Sequence, residues 1–241
     1  MKDGFEERNR ELIRRMGDDP HVREASRQWI EAVLGYEYHY HFSWLGLPII
    51  QFPSDIVVMQ ELIWRVRPDL IVETGIARGG SLVFYASMLE LIGGDGRVVG
   101  VDMDIREHNR RAIEAHPLSR RITMIEGSSV SAHVVRRVRR LAEGRKRVMV
   151  MLDSNHTHDH VLQELRFYSP LVTPGSYLVV FDTIIEDLPD EFHRNRPWSG
   201  TANPRTAVRE FLRATDAFVV DEELPCKGLV TVSPGGFLRR V

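Results

Sequence analysis

Asp153 follows an apolar run from Val148 to Leu152, His156 stands three residues later, and Asp182 ends a second apolar run that begins at Tyr177. Two carboxylates delivered this way are candidate oxygen ligands for a hard divalent cation such as magnesium, which keeps several waters exchangeable for substrate oxygens. His156 is close enough in sequence to share their solvent pocket and, titrating near neutrality, to act as a general base. The bland alternatives are that the acids cap helices or form turns and that His156 is a structural hydrogen-bonding group. His158 and His160 read as the start of the next helix and receive no role.

A second set of candidates lies upstream, in the segment from Asp69 to Ser81, which reads Asp-Leu-Ile-Val-Glu-Thr-Gly-Ile-Ala-Arg-Gly-Gly-Ser. It has the form of a buried strand, a glycine turn with Glu73 at its mouth, and the start of a helix. Gly75, Gly79 and Gly80 would let backbone approach a ligand closely, and Asp102, ending the next apolar run, is placed to accept from ribose hydroxyls. The spacing departs from G-x-G-x-x-G. A carboxylate at this turn would oppose a dinucleotide pyrophosphate by roughly 4 kcal/mol per charge pair at intermediate dielectric. S-adenosylmethionine carries no phosphate, and its ammonium suits Glu73, so the turn is expected to bind that donor through Glu73, Gly75, Arg78, Gly79, Ser81 and Asp102. NAD-like ligands and a simple turn remain the alternatives. The Glu126-Gly127-Ser128-Ser129 turn would lie beside the adenine, with Ser128 and Ser129 as contacts; its other reading is an ordinary loop in which one of these serines caps a helix.

These groups must be held by a framework, and the chain supplies an alternation of strand-like and helix-like runs. Strands are expected at about 70–74, 98–102, 122–125, 148–153 and 177–182, with helices at 81–92, 106–115, 132–143 and 160–168 between them. Such a βαβ succession predicts a parallel sheet covered on both faces, with ligands at the C-terminal strand ends, where Glu73, Asp102, Asp153 and Asp182 would converge. After a polar insertion at 186–203, a helix at 206–214 precedes strands at 217–220 and 228–232, whose short link favours an antiparallel hairpin. Residues 1–50 form a separate extension before the domain at 51–241. It holds two amphipathic helices, at about 5–16 and 22–34, and a segment in which Tyr36, Tyr38, Tyr40, Phe42 and Trp44 recur at every second position. That segment reads as an aromatic edge packed on the core, a subunit contact or a lid for an acceptor. Asp55 is expected to cap a helix ending before Pro68.

With 241 residues, 43% hydrophobic and 27% charged, the chain can bury a full core. A net charge of −2 gives no global attraction to nucleic acid or an anionic membrane, so neither is an expected partner. The basic run from Arg136 to Arg147 contains Val134, Val138 and Leu141 at helical spacing and reads as a solvated helix face. Cys226 is the sole cysteine, which excludes an internal disulfide framework and a thiolate zinc cage. The beginning of the chain lacks an apolar signal core, and no window approaches a membrane span, so a cytoplasmic, soluble protein is expected.

Taken together, the Trp44-Leu-Gly-Leu-Pro and Gln60-Glu-Leu-Ile segments, the Val72-to-Ser81 turn, Leu152-Asp-Ser-Asn-His and Pro174-to-Thr183 resemble the cephalosporin hydroxylase and rhamnosyl O-methyltransferase family. The resemblance covers most of the chain. It implies a Rossmann-like class I methyltransferase fold with a seven-stranded, mostly parallel sheet, S-adenosylmethionine as donor, a homo-oligomer, and magnesium held by Asp153 and Asp182. It also implies His156 as the catalytic base. The family pattern has a Glu-Asp pair where this chain has Phe181-Asp182; water, Thr183, Glu186 or Asp187 could complete the shell.

The expected activity is therefore magnesium-assisted O-methylation of a hydroxyl on a sugar or glycosylated small molecule. Two other readings stand beside it: a cofactor-binding scaffold without catalysis, motivated by Phe181, and an iron-dependent hydroxylase built on two histidines and a carboxylate.

Overall fold

The computed structural model describes residues 4–241. Helices α1 (Phe5–Asp18) and α2 (Pro20–Leu34) lead the chain. The Asp19 carboxylate accepts from the His21 and Val22 amides, and Pro20 fills the first helical position, where its missing N–H costs nothing.

The expected two-residue alternation at 36–44 does not form a strand. Glu37 adopts a left-handed conformation, Tyr38–Tyr40 form a 3-10 turn, and only the two-residue strands β1 (Ser43–Trp44) and β2 (Leu47–Pro48) pair. Packing decides which aromatics turn inward: Tyr38 meets Trp29 and Phe42 edge-on, while Trp44 packs on Phe84 and donates to the Ser87 hydroxyl at 3.0 Å. Tyr36 and Tyr40 remain exposed.

Helix α3 (Pro53–Val66) follows, then β3 (Leu70–Thr74), α4 (Gly80–Ile92), β4 (Arg97–Asp102), α5 (Glu107–Ala115), β5 (Ile122–Glu126), α6 (Ala132–Ala142), β6 (Val148–Leu152), α7 (His158–Tyr168) and β7 (Tyr177–Val180). The last elements are α8 (Pro204–Arg213), β8 (Phe218–Val220), α9 (Glu223–Gly228) and β9 (Phe237–Arg240). Strand order in the seven-stranded sheet is β5-β4-β3-β6-β7-β9-β8, and only β9 runs against its neighbours. The order reverses between β3 and β6, so the helices that follow these strands leave toward opposite faces and open a crevice at their C-terminal ends.

Side chains along the central strands alternate between two cores. Ile71, Met149, Met151 and Val179 meet α3 and α4 on one face; Val72, Val150, Leu178 and Val180 meet α6, α7 and α8 on the other. Each is fully buried, a contribution of about 1.5 to 3 kcal/mol per side chain. Both faces being covered explains why these strands read as continuous apolar runs.

Two local expectations are corrected. Asp55 does not cap α3, which starts two residues earlier with Phe52 at the N-cap; its buried carboxylate instead accepts from the Val232 amide at 2.9 Å. The strand expected at 228–232 is also absent. That segment is held by the Asp55 contact and by the Ile184 amide donating to the Val232 carbonyl, and the partner of β8 is β9, reached after Pro234, Gly235 and Gly236. The antiparallel C-terminal pair exists, but its link contains α9 and is not a hairpin turn.

Candidate functional site

The backbone at the crevice is built from two strand ends locked together. The Asp153 amide donates to the Thr74 carbonyl at 2.9 Å, and a Cβ at Gly75 would lie 2.0 Å from the Asp153 carbonyl oxygen. With φ at +94° as well, position 75 accepts glycine alone without displacement. The turn then passes through Ala77, also left-handed, and reaches Gly79 at the N-cap of α4. Asp102 fixes this turn: its Oδ2 accepts from the Ile76 amide at 2.8 Å and the Ala77 amide at 3.2 Å.

Beside the turn, the ends of β6 and β7 bring Asp153, His156 and Asp182 together, with one ligand atom of each within 4.8 Å of the others. His156 Nε2 is 3.1 Å from Asp182 Oδ2 and 3.8 Å from Asp153 Oδ1. Asp182 has φ +55°, a conformation that aspartate tolerates better than most residues and that turns the chain into the following 3-10 segment. Burial by itself would lower the His156 pKa, but Asp182 and Asp153 together outweigh it and push it up to about 9. Burial raises Asp153 to about 6 in spite of its histidine partner. The cluster therefore has a strong appetite for positive charge.

A cleft of about 510 Å³ joins the turn to this cluster. Its lining includes Gly75, Arg78 and Ser81 on one side and Asp153, His156 and Asp182 on the other. Larger surface hollows, of about 890 and 850 Å³, lie along α1 and around Arg23 and Arg205, but neither contains a residue of the cluster. The cleft is within the range of small-molecule sites. Its outer wall draws on the aromatic segment for which a lid over an acceptor was one expectation, and on the polar insertion, from which no wall was expected. His39 and Tyr40 come from the N-terminal extension, and Trp198 comes from the polar insertion, with its ring 5.0 Å from that of His156 and the Arg196 guanidinium 5.4 Å above it. A lone tryptophan in a polar stretch was the available signal.

Several expected contacts are placed differently. Glu73 is fully buried and does not line the cleft; its Oε2 accepts from the Ser81 hydroxyl at 2.7 Å, and burial raises its carboxyl well above the usual range. The pyrophosphate-repelling charge inferred from sequence is thus withdrawn from the ligand surface. Gly79, Asp102, Ser128 and Ser129 also stand outside the cleft lining. Ser129 is buried, 3.0 Å from His160, and Ser131 rather than either expected serine caps α6.

The suggested additional metal ligands are engaged elsewhere. Thr183 donates to the Pro234 carbonyl, Glu186 is held by Arg209, and Asp187 by Arg205. Phe181 is 2% exposed and packs in the core. His158 turns to Thr206 and Glu210 and His160 to Ser129 and Ser154, so one histidine joins two carboxylates. That donor set lacks the second histidine required by the iron-site reading.

Comparison with known proteins gives a consistent picture. The family model for rhamnosyl O-methyltransferase/CmcI matches residues 36–241. Rhamnosyl O-methyltransferase of Mycobacterium leprae (strain TN) is 31% identical over 148 residues, covering 61% of this chain and 62% of that protein. The Mycobacterium tuberculosis (strain H37Rv) protein of the same name is 31% identical over 151 residues, covering 61% and 59%. The match thus spans about three fifths of these relatives' length. Among solved structures, CmcI with SAH aligns at TM-score 0.61 and 23% identity over 86% of each chain, and CmcI with Mg-SAM at 0.59 and 21% over 84% of this chain and 77% of that one. These likenesses show the fold.

Proposed function

Because this chain belongs to the rhamnosyl O-methyltransferase/CmcI family, we propose that it is an S-adenosylmethionine-dependent O-methyltransferase that uses magnesium and acts on a hydroxyl of a sugar or glycosylated small molecule. The observation that carries this reading is the gathering of Asp153, His156 and Asp182 beside a glycine turn in one cleft.

The residues suit both groups. Two carboxylate oxygens on one rim are hard donors for magnesium. Gly75 and Gly80 let the turn close on the Asp153 and Pro48 backbone, a Cβ at Gly80 meeting the Pro48 carbonyl at 2.2 Å, and Arg78 and Ser81 of the turn so held line the cleft where a donor's amino-acid portion would sit. The ribose role assigned to Asp102 requires it to share or exchange its contacts with the Ile76 and Ala77 amides.

A divalent cation bound there would supply Lewis-acid polarisation of an acceptor hydroxyl and charge neutralisation at the two aspartates. Asp153 and Asp182 would hold it, and with their charge so engaged His156 Nε2 would accept the proton of the acceptor hydroxyl. The acceptor oxygen bonds to the donor's methyl carbon as the carbon–sulfur bond breaks, giving S-adenosylhomocysteine. Trp198 and Tyr40 orient the acceptor over His156 and exclude water. Holding both reactants near contact can supply roughly 7 to 11 kcal/mol of the barrier reduction.

Residues 1–50 contribute the acceptor side of the cleft through His39 and Tyr40 and a contact surface in a homo-oligomer. No helix among the described residues is long and apolar enough to cross a membrane.

The test is a thermal-shift panel with S-adenosylmethionine, S-adenosylhomocysteine and NAD, each with and without magnesium. The two adenosyl ligands should stabilise the protein, by a few kcal/mol when in large excess over their dissociation constants. NAD as sole stabiliser would overturn the reading.

A further inference from the structure

His160, Glu164 and Tyr168 recur at every fourth position of α7 and share the face turned toward the loops after β5 and β6. Glu164 is fully buried, and its Oε1 accepts from the Ser154 hydroxyl at 2.8 Å. Its Oε2 has no partner among the described residues. His160 Nε2 stands 3.3 Å from the same Ser154 oxygen, 3.0 Å from that of Ser129 and 3.6 Å from Glu164 Oε1. The Tyr168 hydroxyl closes the far end of this row by donating to the Ser129 carbonyl at 2.7 Å.

A carboxylate with no exposure and a single hydrogen bond is unfavourable in a core, so stability alone does not account for Glu164. The one hydroxyl it holds points to its use. Ser154 follows Asp153 directly and lines the cleft. On one side of Asp153 its amide is tied to the Thr74 carbonyl; on the other the Ser154 hydroxyl is tied to Glu164, so the chain bearing this carboxylate is held from both directions. A hydrogen bond to a charged acceptor is roughly twice as strong as a neutral one, which suits a fixed brace. The charge of Glu164 also reaches the cluster: burial and then Asp182 raise the Asp153 carboxyl, and Glu164 adds to both. It thereby increases the preference of the cleft for a cation without touching one.

We propose that Glu164 is a positioning residue for the cation seat, acting through the Ser154 hydroxyl to fix the direction in which Asp153 presents its carboxylate, with His160 steadying the same hydroxyl. The inference rests on the magnesium assignment above and gives a role to a buried acid that the reaction itself does not touch.

Calorimetric titration of the full chain with magnesium chloride, with S-adenosylhomocysteine present throughout, tests this. Ser154→Ala should weaken magnesium binding by about five- to tenfold, at or below the low end of what losing support for a metal ligand costs, because the hydroxyl acts on the neighbouring peptide. Glu164→Gln exchanges the charged acceptor for a neutral one and should weaken it similarly. The double variant should stay within about twofold of the weaker single variant, since both changes remove one link. Ser154→Thr keeps the hydroxyl and should stay within about twofold of the unaltered protein. S-adenosylhomocysteine affinity should be nearly constant across the set. Unchanged magnesium affinity in both single variants overturns the proposal, even if stability to urea falls, because that would mark a structural role only. Losses that multiply in the double variant overturn it too, as does a loss in Ser154→Thr equal to that in Ser154→Ala. Failure of the unaltered protein to bind magnesium is a different result and removes the cation assignment itself.

Discussion

Nε2 of His156 lies 3.1 Å from Oδ2 of Asp182, which ties the loop after β6 to the end of β7 through a pair of opposite charges. The His156 pKa is raised from 6.5 to about 9 by its two carboxylate partners against the opposing effect of burial. A raised folded-state value contributes stability that is complete below pH 6.5 and disappears as pH climbs through 9. The gross size is on the order of 3 kcal/mol, partly offset by the unfavourable burial of Asp153. Chemical denaturation of magnesium-free protein should therefore show stability declining from pH 6.5 to 9. His156→Ala should flatten that decline, and an equal slope in the variant would remove the ion pair as its cause.

Asp153→Ala and His156→Ala should each lower methyl transfer by at least about a hundredfold, the lower range for loss of a positioned acid–base group, with S-adenosylhomocysteine affinity nearly intact. Chelation should mimic Asp153→Ala and be reversed by added magnesium. Full turnover in both variants, measured with a sugar acceptor, would refute the assignment of this cluster.

Trp198 contributes a ring 5.0 Å from His156 and no group that could transfer a proton. Its replacement by Ala should raise the acceptor KM by about tenfold, as expected for loss of about 1.4 kcal/mol of stacking and water exclusion, with donor affinity within about twofold. Steady-state kinetics with the acceptor varied separate these effects. A loss confined to donor binding would show that the insertion wall serves the other substrate.

Gly75→Ala introduces a methyl group 2.0 Å from the Asp153 carbonyl at a φ of +94°. The chain must move at both positions, and a loss of about 2 to 4 kcal/mol in urea unfolding is expected, the range of steric and backbone strain combined. A change below about 0.5 kcal/mol would mean that the two strand ends are not in contact in solution.

The sheet was legible because its strands are buried on both faces: Leu70 to Val72 and Val148 to Leu152 appear as uninterrupted apolar runs, each followed by an acid, Glu73 and Asp153. For the same reason Asp153, His156 and Asp182 could be identified as a group, since topology alone brings the ends of β6 and β7 together. Elements shaped by tertiary contact were not legible. Strand β9 carries Arg239 and Arg240 at its end and lies after Pro234, whereas Val232, a better strand former, is captured by Asp55 and Ile184, and the Val230 carbonyl accepts from the Ser54 hydroxyl. The alternation from Tyr36 to Trp44 arose without a strand because Glu37 turns left-handed. Glu73 was placed correctly along the chain, but its withdrawal beneath Ser81 depends on the direction in which α4 leaves the turn.

The seam between Gly75 and Asp153 leaves no slack between two peptides with different duties. On the proposed reading, one opens the turn for the adenosyl donor and the other belongs to the residue whose carboxylate would hold the cation. A shift of either is transmitted to its neighbour through a carbonyl that already fills the space above the glycine, so nucleoside and ion would address a single mechanical unit. Loading the first ligand would pre-set the seat of the second, and linkage requires the favour to be returned in equal measure.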